Sequence, residues 1–382
     1  MIFTLEALQA AGGDCLILHF GPNDAPLVAV IDGGPSGIYK ESLRPRLDEL
    51  RAARHPDEQL PLQLVVVSHI DADHIVGILD LAQQLLQEKE DGAESAYRIV
   101  RLWHNSFEDI VGAAGAAAGS AALPPAVSAL AAGGAPGALP LTEPARLVVA
   151  SLGQGRRLRE RVRGLKLEGN QPIDGPVIAP RALPLGELAL TVIGPSQDRL
   201  ARLQRRWEAD VVSGPAEAAE IAAYLDRSVY NLSSIVVLAE MSGKKMLLTG
   251  DAHGDDILEG LQAAGLLDEP PLHVDLLKLP HHGSDRNVET DFFRKVVADH
   301  YVVSGDGTDG NPEIAALRMI SEARGDDDFV LHLTNRDGKN DLGRKLKEFE
   351  AEEKARNPGH ELRFRETDAL SVKVDLLDPV TD

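Results

Sequence analysis

The sequence contains a single cysteine and no long apolar run, and these two absences restrict where the chain can work. Of its 382 residues only Cys15 is a cysteine, so no disulfide can form within the chain and no oxidising compartment is indicated. No apolar stretch approaches the roughly eighteen residues that a membrane-spanning helix needs. The first residues, MIFTLEALQAAGGDC, lack the basic segment and apolar core of a secretory signal. We therefore expect a cytoplasmic protein that does not cross a membrane.

Basic residues are in the minority. The 39 lysines and arginines face 60 acidic residues, which gives a formal net charge of -21. A surface of that sign repels polyanions and argues against strong nonspecific binding to long nucleic acids. A basic cluster, RRLRERVRGLK, does run from Arg156 to Lys166. Because charge runs of this kind usually lie on a solvated face of a helix, we interpret the cluster as surface.

Two common catalytic motifs are also missing. The sequence has no GxxxxGK[ST] loop for nucleotide phosphates and no GxSxG turn for a serine nucleophile. Cys15 lies in a setting that does not suit a nucleophilic thiol. Nucleotide-driven work and nucleophilic catalysis by serine or cysteine are therefore not expected.

Strand-like and helical segments alternate along most of the chain, and several of the strands form hairpin-like pairs. IFTLEAL, DCLILHF and LVAVIDGG open the chain as strands, and LQLVVVSH is a strand followed by the amphipathic DHIVGILDLAQQLLQEKE. The pattern predicts mixed sheets packed face to face with helices outside. From about 107 to 188 the amino-acid composition becomes Ala/Gly-rich and then basic. We therefore predict one domain over residues 1–382 with an insertion at about 107–188.

Four ligand-type side chains follow the strand LQLVVVSH within six positions: His69, Asp71, Asp73 and His74. Because a strand projects its residues alternately, the first three leave the strand end on a common side. Imidazole and carboxylate together suit zinc, manganese or iron. A helix-capping loop is the alternative. Because four ligand-type residues lie within six positions, we favour the interpretation that this loop forms half of a metal site.

Two later strands end in the same kind of residue. KMLLTGDA places Asp251 directly after a buried strand, and VDLLKLPHHGS places His281 and His282 after another. A carboxylate can bridge two cations through its two oxygens. Two cations that share Asp251 would hold and activate a water molecule between them.

The order HIDADH, NLSSIVVL, LLTGDA, LKLPHHGS resembles the metallo-β-lactamase superfamily, and within it the hydrolase domains of ComEC-type DNA-uptake proteins. The usual superfamily loop is His-x-His-x-Asp-His, and this chain has Asp71 at the second position, as the ComEC-like branch does. The likeness runs from about Met1 to Leu333, apart from the insertion. It implies an α/β fold, a four-layer αββα sandwich of two mixed β-sheets.

The resemblance also implies a dinuclear site with two divalent cations, zinc or manganese. The ligands that it implies are His69, Asp71, Asp73, His74, Asp251 and His282. His69 and Asp71 would serve one cation, and Asp251 would bridge to the other. Asp73 would also orient the attacking water, and His281 would donate a proton to the leaving group. Which of His281 and His282 is the ligand stays open.

Three further residues are candidates for supporting roles. Asp32, in VIDGG, matches an acid that orients ligands in the superfamily, with a plain turn residue as the alternative. Asn231 occupies the stretch where the superfamily usually has another histidine ligand. His104 could replace that histidine, although a lone histidine at a strand edge is more often structural.

The function that follows is hydrolysis by a metal-activated water. The resemblance favours a phosphodiesterase or nuclease, and the carboxylate-rich ligand set suits manganese and phosphate chemistry. The negative net charge favours a small phosphodiester or a short or single-stranded nucleic acid. Two alternatives stay open: hydrolysis of another ester, a lactone or an amide, and a non-catalytic metal-binding interaction module.

Overall fold

The structure is a computed structural model that describes residues 1–105, 143–167, 169–200 and 234–380. In these ranges the chain forms two mixed sheets. Their strands, numbered in chain order, are β1 (Ile2–Leu8), β2 (Leu16–Gly21), β3 (Leu27–Ile31), β4 (Leu60–Val66), β5 (Tyr97–Ile99), β6 (Leu102–Trp103), β7 (Arg181–Leu185), β8 (Leu188–Gly194), β9 (Val236–Met241), β10 (Lys244–Leu248), β11 (Leu272–Lys278), β12 (Val296–Val303), β13 (Phe329–Leu333), β14 (His360–Phe364) and β15 (Ser371–Asp375).

The first sheet has the order β15-β1-β2-β3-β4-β5, with β6 also paired to β4. It is antiparallel from β15 to β3 and parallel from β3 onward. The second sheet has the order β14-β13-β12-β11-β10-β9-β8-β7. Its strands are parallel from β10 to β14 and antiparallel from β7 to β10.

Helices cover the outer face of each sheet. The helices of the described ranges are α1 (Arg44–Arg54), α2 (Ala72–Glu90), α3 (Glu143–Gly164), α4 (Gly254–Ala263), α5 (Thr290–Lys295), α6 (Ile314–Arg324) and α7 (Leu342–Arg356). Apolar residues of α1, α2 and α3 pack on the first sheet, and those of α4 to α7 pack on the second. A third cluster fills the space between the sheets, with Phe3, Leu18 and Leu276 among its buried members.

The predicted α/β class, a four-layer αββα sandwich of two mixed sheets, is confirmed. Burial on both faces explains the near-continuous apolar runs in the parallel strands, such as LVV in β4 and LL in β10. The described end of the predicted insertion contains α3 and β7, and β7 is the edge strand of the second sheet. The single-domain assignment stays a prediction. No helix in the described ranges has both the length and the apolarity to span a bilayer.

The topology brings several strand ends to one edge of the sandwich. In the second sheet β10, β11 and β12 are parallel, so their carboxyl ends meet at that edge. In the first sheet β3 and β4 are parallel and end there as well. Because β2 is antiparallel to β3, the residues that precede β2 lie at the same edge. Polar segments that are distant in sequence are therefore neighbours at this edge.

Candidate metal centre

The loop after β4 and the turn after β11 face each other across the sandwich edge. Nε2 of His74 lies 3.2 Å from Nε2 of His282, although the two residues are 208 positions apart. Nε2 of His282 lies 3.4 Å from Oδ2 of Asp73. Both histidine side chains are almost fully buried. The two loops thus present nitrogen and oxygen atoms to one common point.

Asp251 connects this point to a second one. Its Oδ1 lies 3.2 Å from Nε2 of His74, and its Oδ2 lies 3.6 Å from Nε2 of His69. Oδ2 of Asp71 approaches the same His69 nitrogen at 3.8 Å. The two oxygens of one buried carboxylate therefore face two different groups of ligand-type atoms, as a bridging carboxylate must.

The outer nitrogen of His74 is held by a carboxylate. His74 Nδ1 donates to Oδ2 of Asp32 at 2.9 Å, and Asp32 in turn accepts from the hydroxyl of Ser68 at 2.6 Å and from its N–H at 2.7 Å. Metal-binding histidines commonly donate their second ring N–H to a carboxylate in this way. Asp32 is in the left-handed region, with φ 58°, so the backbone adopts an uncommon conformation to present this side chain.

The tandem histidines differ sharply in their surroundings. His282 is buried and points into the cluster, whereas the side chain of His281 is 29% exposed. His281 Nε2 lies 3.5 Å from Oδ2 of Asp251, and its Nδ1 is 2.9 Å from Oδ1 of Asn287. Both histidines have left-handed backbones, with φ 46° and 54°. Strained residues of this kind cluster at functional sites.

The electrostatics of the cluster are dominated by its carboxylates. Burial and the neighbouring His74 ring lower the pKa of His69 to about 4. Burial acts against the charged form of His282 too, but Asp14 and Asp251 outweigh it and raise the pKa of that imidazole to about 9. Burial would raise the pKa of Asp73, yet His74 and His282 lower it to about 2. The carboxylates thus favour the protonated, positively charged form of His282.

The residues present fit a divalent cation. With a cation bound, His74 would donate from Nδ1 to Asp32 and present the lone pair of Nε2, the atom that lies 3.2 Å from Nε2 of His282. Two nitrogens on one tetrahedral zinc ion, each about 2.0–2.1 Å from it, would be separated by roughly 3.3 Å. Within the described residues, Nε2 of His69 and Oδ1 of Asp251 are buried without a hydrogen bond. A bound cation would satisfy these atoms.

Most of the predicted site residues meet at this edge. Ligand atoms of Asp14, His74, Asp251 and His282 lie within 4.8 Å of one another, as do those of His69, Asp73 and His74. Asp71 lies beside His69 and Asp32 behind His74, while His281 lies at the exposed side. The assignment of each residue as ligand or catalyst stays a prediction.

One supporting candidate, His104, lies outside these groups. His104 follows β6, and its backbone N–H and C=O are bonded by the side chain of Asn170. Among the described residues, His104 does not belong to either group of converging ligand atoms. The stretch that contains Asn231 lies outside the described residues.

The sequence-based prediction missed Asp14, Lys278 and Ser304. Asp14 precedes β2 at the same edge and lies 3.3 Å from Nδ1 of His282 through its Oδ1. Ser304 follows β12 and lies 3.2 Å from the same nitrogen. One signal was available, because Lys278 is a charged residue inside the apolar run VDLLKLP, and such a lysine needs a buried partner.

The helix α3, which carries the basic cluster, packs against α2. Leu158 and Val162 are buried against the first sheet's helix layer, while Arg157 and Arg163 are exposed. Arg161 donates to the backbone oxygen of Leu79 in α2 at 2.7 Å. For Arg157 and Arg163 the prediction of a solvated helix face therefore agrees with the structure.

Comparison with known proteins gives weak likenesses. No family model matches the chain. It is 38% identical over 81 residues to mouse microtubule-associated protein 1A and 34% identical over 116 residues to the human protein. These matches cover 21% and 29% of this chain but only 3% and 4% of those proteins, so the chain spans a small part of their length.

Two solved structures are also similar to this chain. The metallo-β-lactamase fold protein YhfI from Bacillus subtilis is 12% identical with a TM-score of 0.39, and the match covers 98% of this chain and 99% of that one. A point mutant of the β-hydroxylase CmlA is 11% identical with a TM-score of 0.37, over 97% of this chain and 54% of that one. At these identities and TM-scores the two structures carry no argument, so the evidence for the fold and the site is the set of contacts within this chain.

Proposed function

We propose that the chain is a metal-dependent hydrolase that acts on a phosphodiester through a dinuclear centre. The observation that carries the proposal is the convergence of Nε2 of His74, Nε2 of His282 and Oδ1 of Asp251 at a buried edge. A carboxylate lies beside Nδ1 of each imidazole, Asp32 at His74 and Asp14 at His282, so that Nε2 of each ring faces the common point. A purely structural cluster has no need for three inward-facing acceptor atoms.

The cations would be divided between the two groups of ligand atoms. One would be held by Asp73, His74 and His282, the second by His69 and Asp71, with Asp251 shared between them. Nitrogen and oxygen ligands suit zinc, and the high share of carboxylate suits manganese as well. When bound, such cations make a water molecule nucleophilic near neutral pH and balance negative charge on the substrate.

Asp73 and His281 each face both the centre and solvent. The Asp73 side chain is 39% exposed, and its Oδ2 is 3.4 Å from Nε2 of His282, so it can accept a hydrogen bond from a water at the mouth of the site. His281 has its Nδ1 directed at Oδ1 of Asn287, which fixes the ring. Its Nε2, when protonated, can give a proton to the leaving oxygen.

A phosphodiester is favoured over other esters by the charge of the ligand set. A group rich in carboxylates holds hard cations, which phosphate oxygens also prefer. The net charge of -21 disfavours long polyanions, so a small phosphodiester or a short single strand is the expected substrate. Zinc would also support hydrolysis of a carboxylic ester, a lactone or an amide, and the test must include one.

The test is turnover of a chromogenic phosphodiester and a chromogenic carboxylic ester after reconstitution with zinc or manganese. The variants are Asp73→Asn and, as a matched control, Glu353→Gln, which alters a buried carboxylate far from the edge. We expect phosphodiester turnover in the parent and the control, and a loss of at least about 100-fold in Asp73→Asn. Equal turnover in Asp73→Asn and the parent would contradict the mechanism. Metal binding without turnover of either substrate would indicate an interaction module instead.

A further inference from the structure

The outer nitrogen of His282 faces a buried carboxylate that no motif in the sequence indicated. Oδ1 of Asp14 lies 3.3 Å from Nδ1 of His282, and Ser304, 3.2 Å from that nitrogen, donates its hydroxyl hydrogen to the same Asp14 oxygen. The carboxylate and the hydroxyl can both accept from an N–H at Nδ1. The arrangement matches the one that Asp32 and Ser68 form behind His74.

Asp14 differs from Asp32 because it forms an ion pair with a buried lysine. Nζ of Lys278 lies 2.9 Å from Oδ2 of Asp14, and both side chains are about 1% exposed. The ammonium also donates to the backbone oxygen of Leu279 at 2.9 Å. Burial alone would raise the pKa of Asp14, but the charges of Lys278 and His282 hold it below its usual value. A buried carboxylate that is paired in this way stays ionised and stays in place.

The loop that carries Asp14 is also fixed against Asp73. The N–H of Asp14 donates to the backbone oxygen of Asp73 at 3.2 Å. A Cβ atom on Gly13 would lie 2.1 Å from that oxygen, so only glycine permits this approach. One short loop therefore contacts two members of the same ligand group, His282 through a side chain and Asp73 through the backbone.

We propose that Asp14, held in place by Lys278, is a positioning residue that fixes the Nδ1–H form and the ring orientation of His282. In that form Nε2 carries the lone pair and faces Asp73 and His74. The proposal rests on the proposed function, since it concerns the cation that these residues would share. It assigns Lys278 a role too: the ammonium neutralises Asp14, so that Asp14 does not compete with Asp73 and Asp251 for the cation.

The test compares two double variants that differ only in the atom that faces His282. Asp14→Asn with Lys278→Met keeps an oxygen acceptor for Nδ1–H and leaves no buried charge unpaired. Asp14→Ala with Lys278→Met removes that acceptor and is equally neutral. Glu353→Gln is the control for loss of a buried carboxylate, because Glu353 accepts from Nδ1 of His360 at 2.7 Å in a remote cluster. Circular dichroism establishes that each variant is folded.

Two measurements are made on each protein. The first is the tautomer of His282 in the metal-free protein at about pH 10.5, above the pKa of about 9 so that the ring is neutral, from ring nitrogen and carbon shifts of selectively labelled histidine. The second is the affinity for zinc, from competition with a chromogenic chelator. We expect the Asn variant to keep the Nδ1–H form and both cations. The Ala variant should lose the preference for Nδ1–H and bind the cation that His282 would share with Asp73 and His74 about 10- to 100-fold less tightly.

The outcomes separate this inference from the proposed function. A folded Ala variant that keeps the Nδ1–H form and the parent's affinity for both cations would overturn the role of Asp14. Failure of the parent itself to bind either zinc or manganese would overturn the proposed function, while the tautomer measurement would still report whether Asp14 orients the ring. Equal losses in the Asn and Ala variants would also contradict the role, since they would show that the acceptor atom is irrelevant.

Discussion

The candidate metal centre and a cluster in the C-terminal part of the chain each combine a buried carboxylate, a histidine and a serine, yet only the first is suited to a metal. In the C-terminal cluster, Glu353 accepts from His360 at 2.7 Å and from the hydroxyl of Ser321 at 2.6 Å. The other nitrogen of His360 makes no hydrogen bond within the described residues, and the ring lies 4.3 Å from that of Phe329. At the metal centre the corresponding nitrogen of His74 faces polar atoms instead.

Whether such a cluster can bind a metal depends on where the second imidazole nitrogen points. An aromatic neighbour closes the His360 cluster, so it can only stabilise the fold. The inward nitrogens of His74 and His282 converge with Asp251, and so a cation can satisfy them together. The charged partners differ as well: within the described residues the ion pairs of Asp73 and Asp251 involve only histidines, whereas Glu353 also lies 3.6 Å from Nη1 of Arg356.

The largest expected effect comes from the bridging carboxylate. Asp251→Ala removes the oxygens that face both groups of ligand atoms, so we expect phosphodiester turnover to fall by at least about 100-fold. Glu353→Ala, the corresponding change in the C-terminal cluster, should leave turnover per folded molecule unchanged. Steady-state kinetics on both purified variants checks this. Similar losses in the two variants would remove the distinction between the clusters.

The tandem histidines should separate binding from proton transfer. His282→Ala removes an inward nitrogen, and we expect it to lower the metal content by about one cation per chain. His281→Ala should keep the metal content of the parent and lower turnover by about 100- to 10,000-fold, the range for loss of a general acid. Metal analysis and kinetics on both variants decide the assignment. If His281→Ala lost the cation instead, the two roles would have to be exchanged.

Another buried carboxylate, outside these two clusters, predicts a pH effect that does not involve metal. Glu6 accepts from His19 and from Arg46, each at 2.8 Å. Burial would raise the pKa of Glu6, but these partners lower it to about 2 from an ordinary 4.5. The resulting stabilisation is fully present above about pH 4.5 and is lost as the pH falls toward 2.

This term amounts to about 3 kcal/mol of the free energy of unfolding. Denaturant unfolding at several pH values should show a smaller loss between pH 4.5 and 2 in Glu6→Gln than in the parent. Metal content at neutral pH should be the same in both proteins. An unchanged pH dependence in the variant would show that Glu6 is not the titrating group.

The smallest expected effect lies in the closed C-terminal cluster. Glu353→Gln replaces a charged acceptor of His360 and Ser321 by a neutral one, so the free energy of unfolding should fall by about 1 to 3 kcal/mol. Urea unfolding measures this loss, and zinc affinity should remain that of the parent. A change in zinc affinity would mean that the two clusters are coupled through the second sheet.

The fold could be predicted because its signals are local. Apolar runs with strand length, such as VDLLKLP, and the helical period of the segment after His74 identify most elements without tertiary information. In the sequence His69, Asp73, Asp251 and His282 come at or shortly after the ends of strands, and the structure shows that these strands have parallel neighbours and end at a common edge. Strand ends with ligand-type residues therefore indicated the site.

The supporting residues could not be predicted in the same way. Asp14 precedes a strand rather than following one, and it reaches the edge only because β2 runs antiparallel to β3. Its contact with His282 spans the two sheets, so no local pattern encodes it. The exposed position of His281 and the buried one of His282 likewise depend on left-handed backbones in a tight turn. Sequence spacing leaves such a choice open.

The most direct test of the central claim is the metal content per chain of the protein purified without a polyhistidine tag. The protein is reconstituted with zinc or manganese, desalted and analysed by elemental mass spectrometry beside Asp251→Ala. We predict close to two cations per chain in the parent and a clear loss in the variant. A parent that retains no cation, or a variant that retains as many as the parent, would contradict the dinuclear centre.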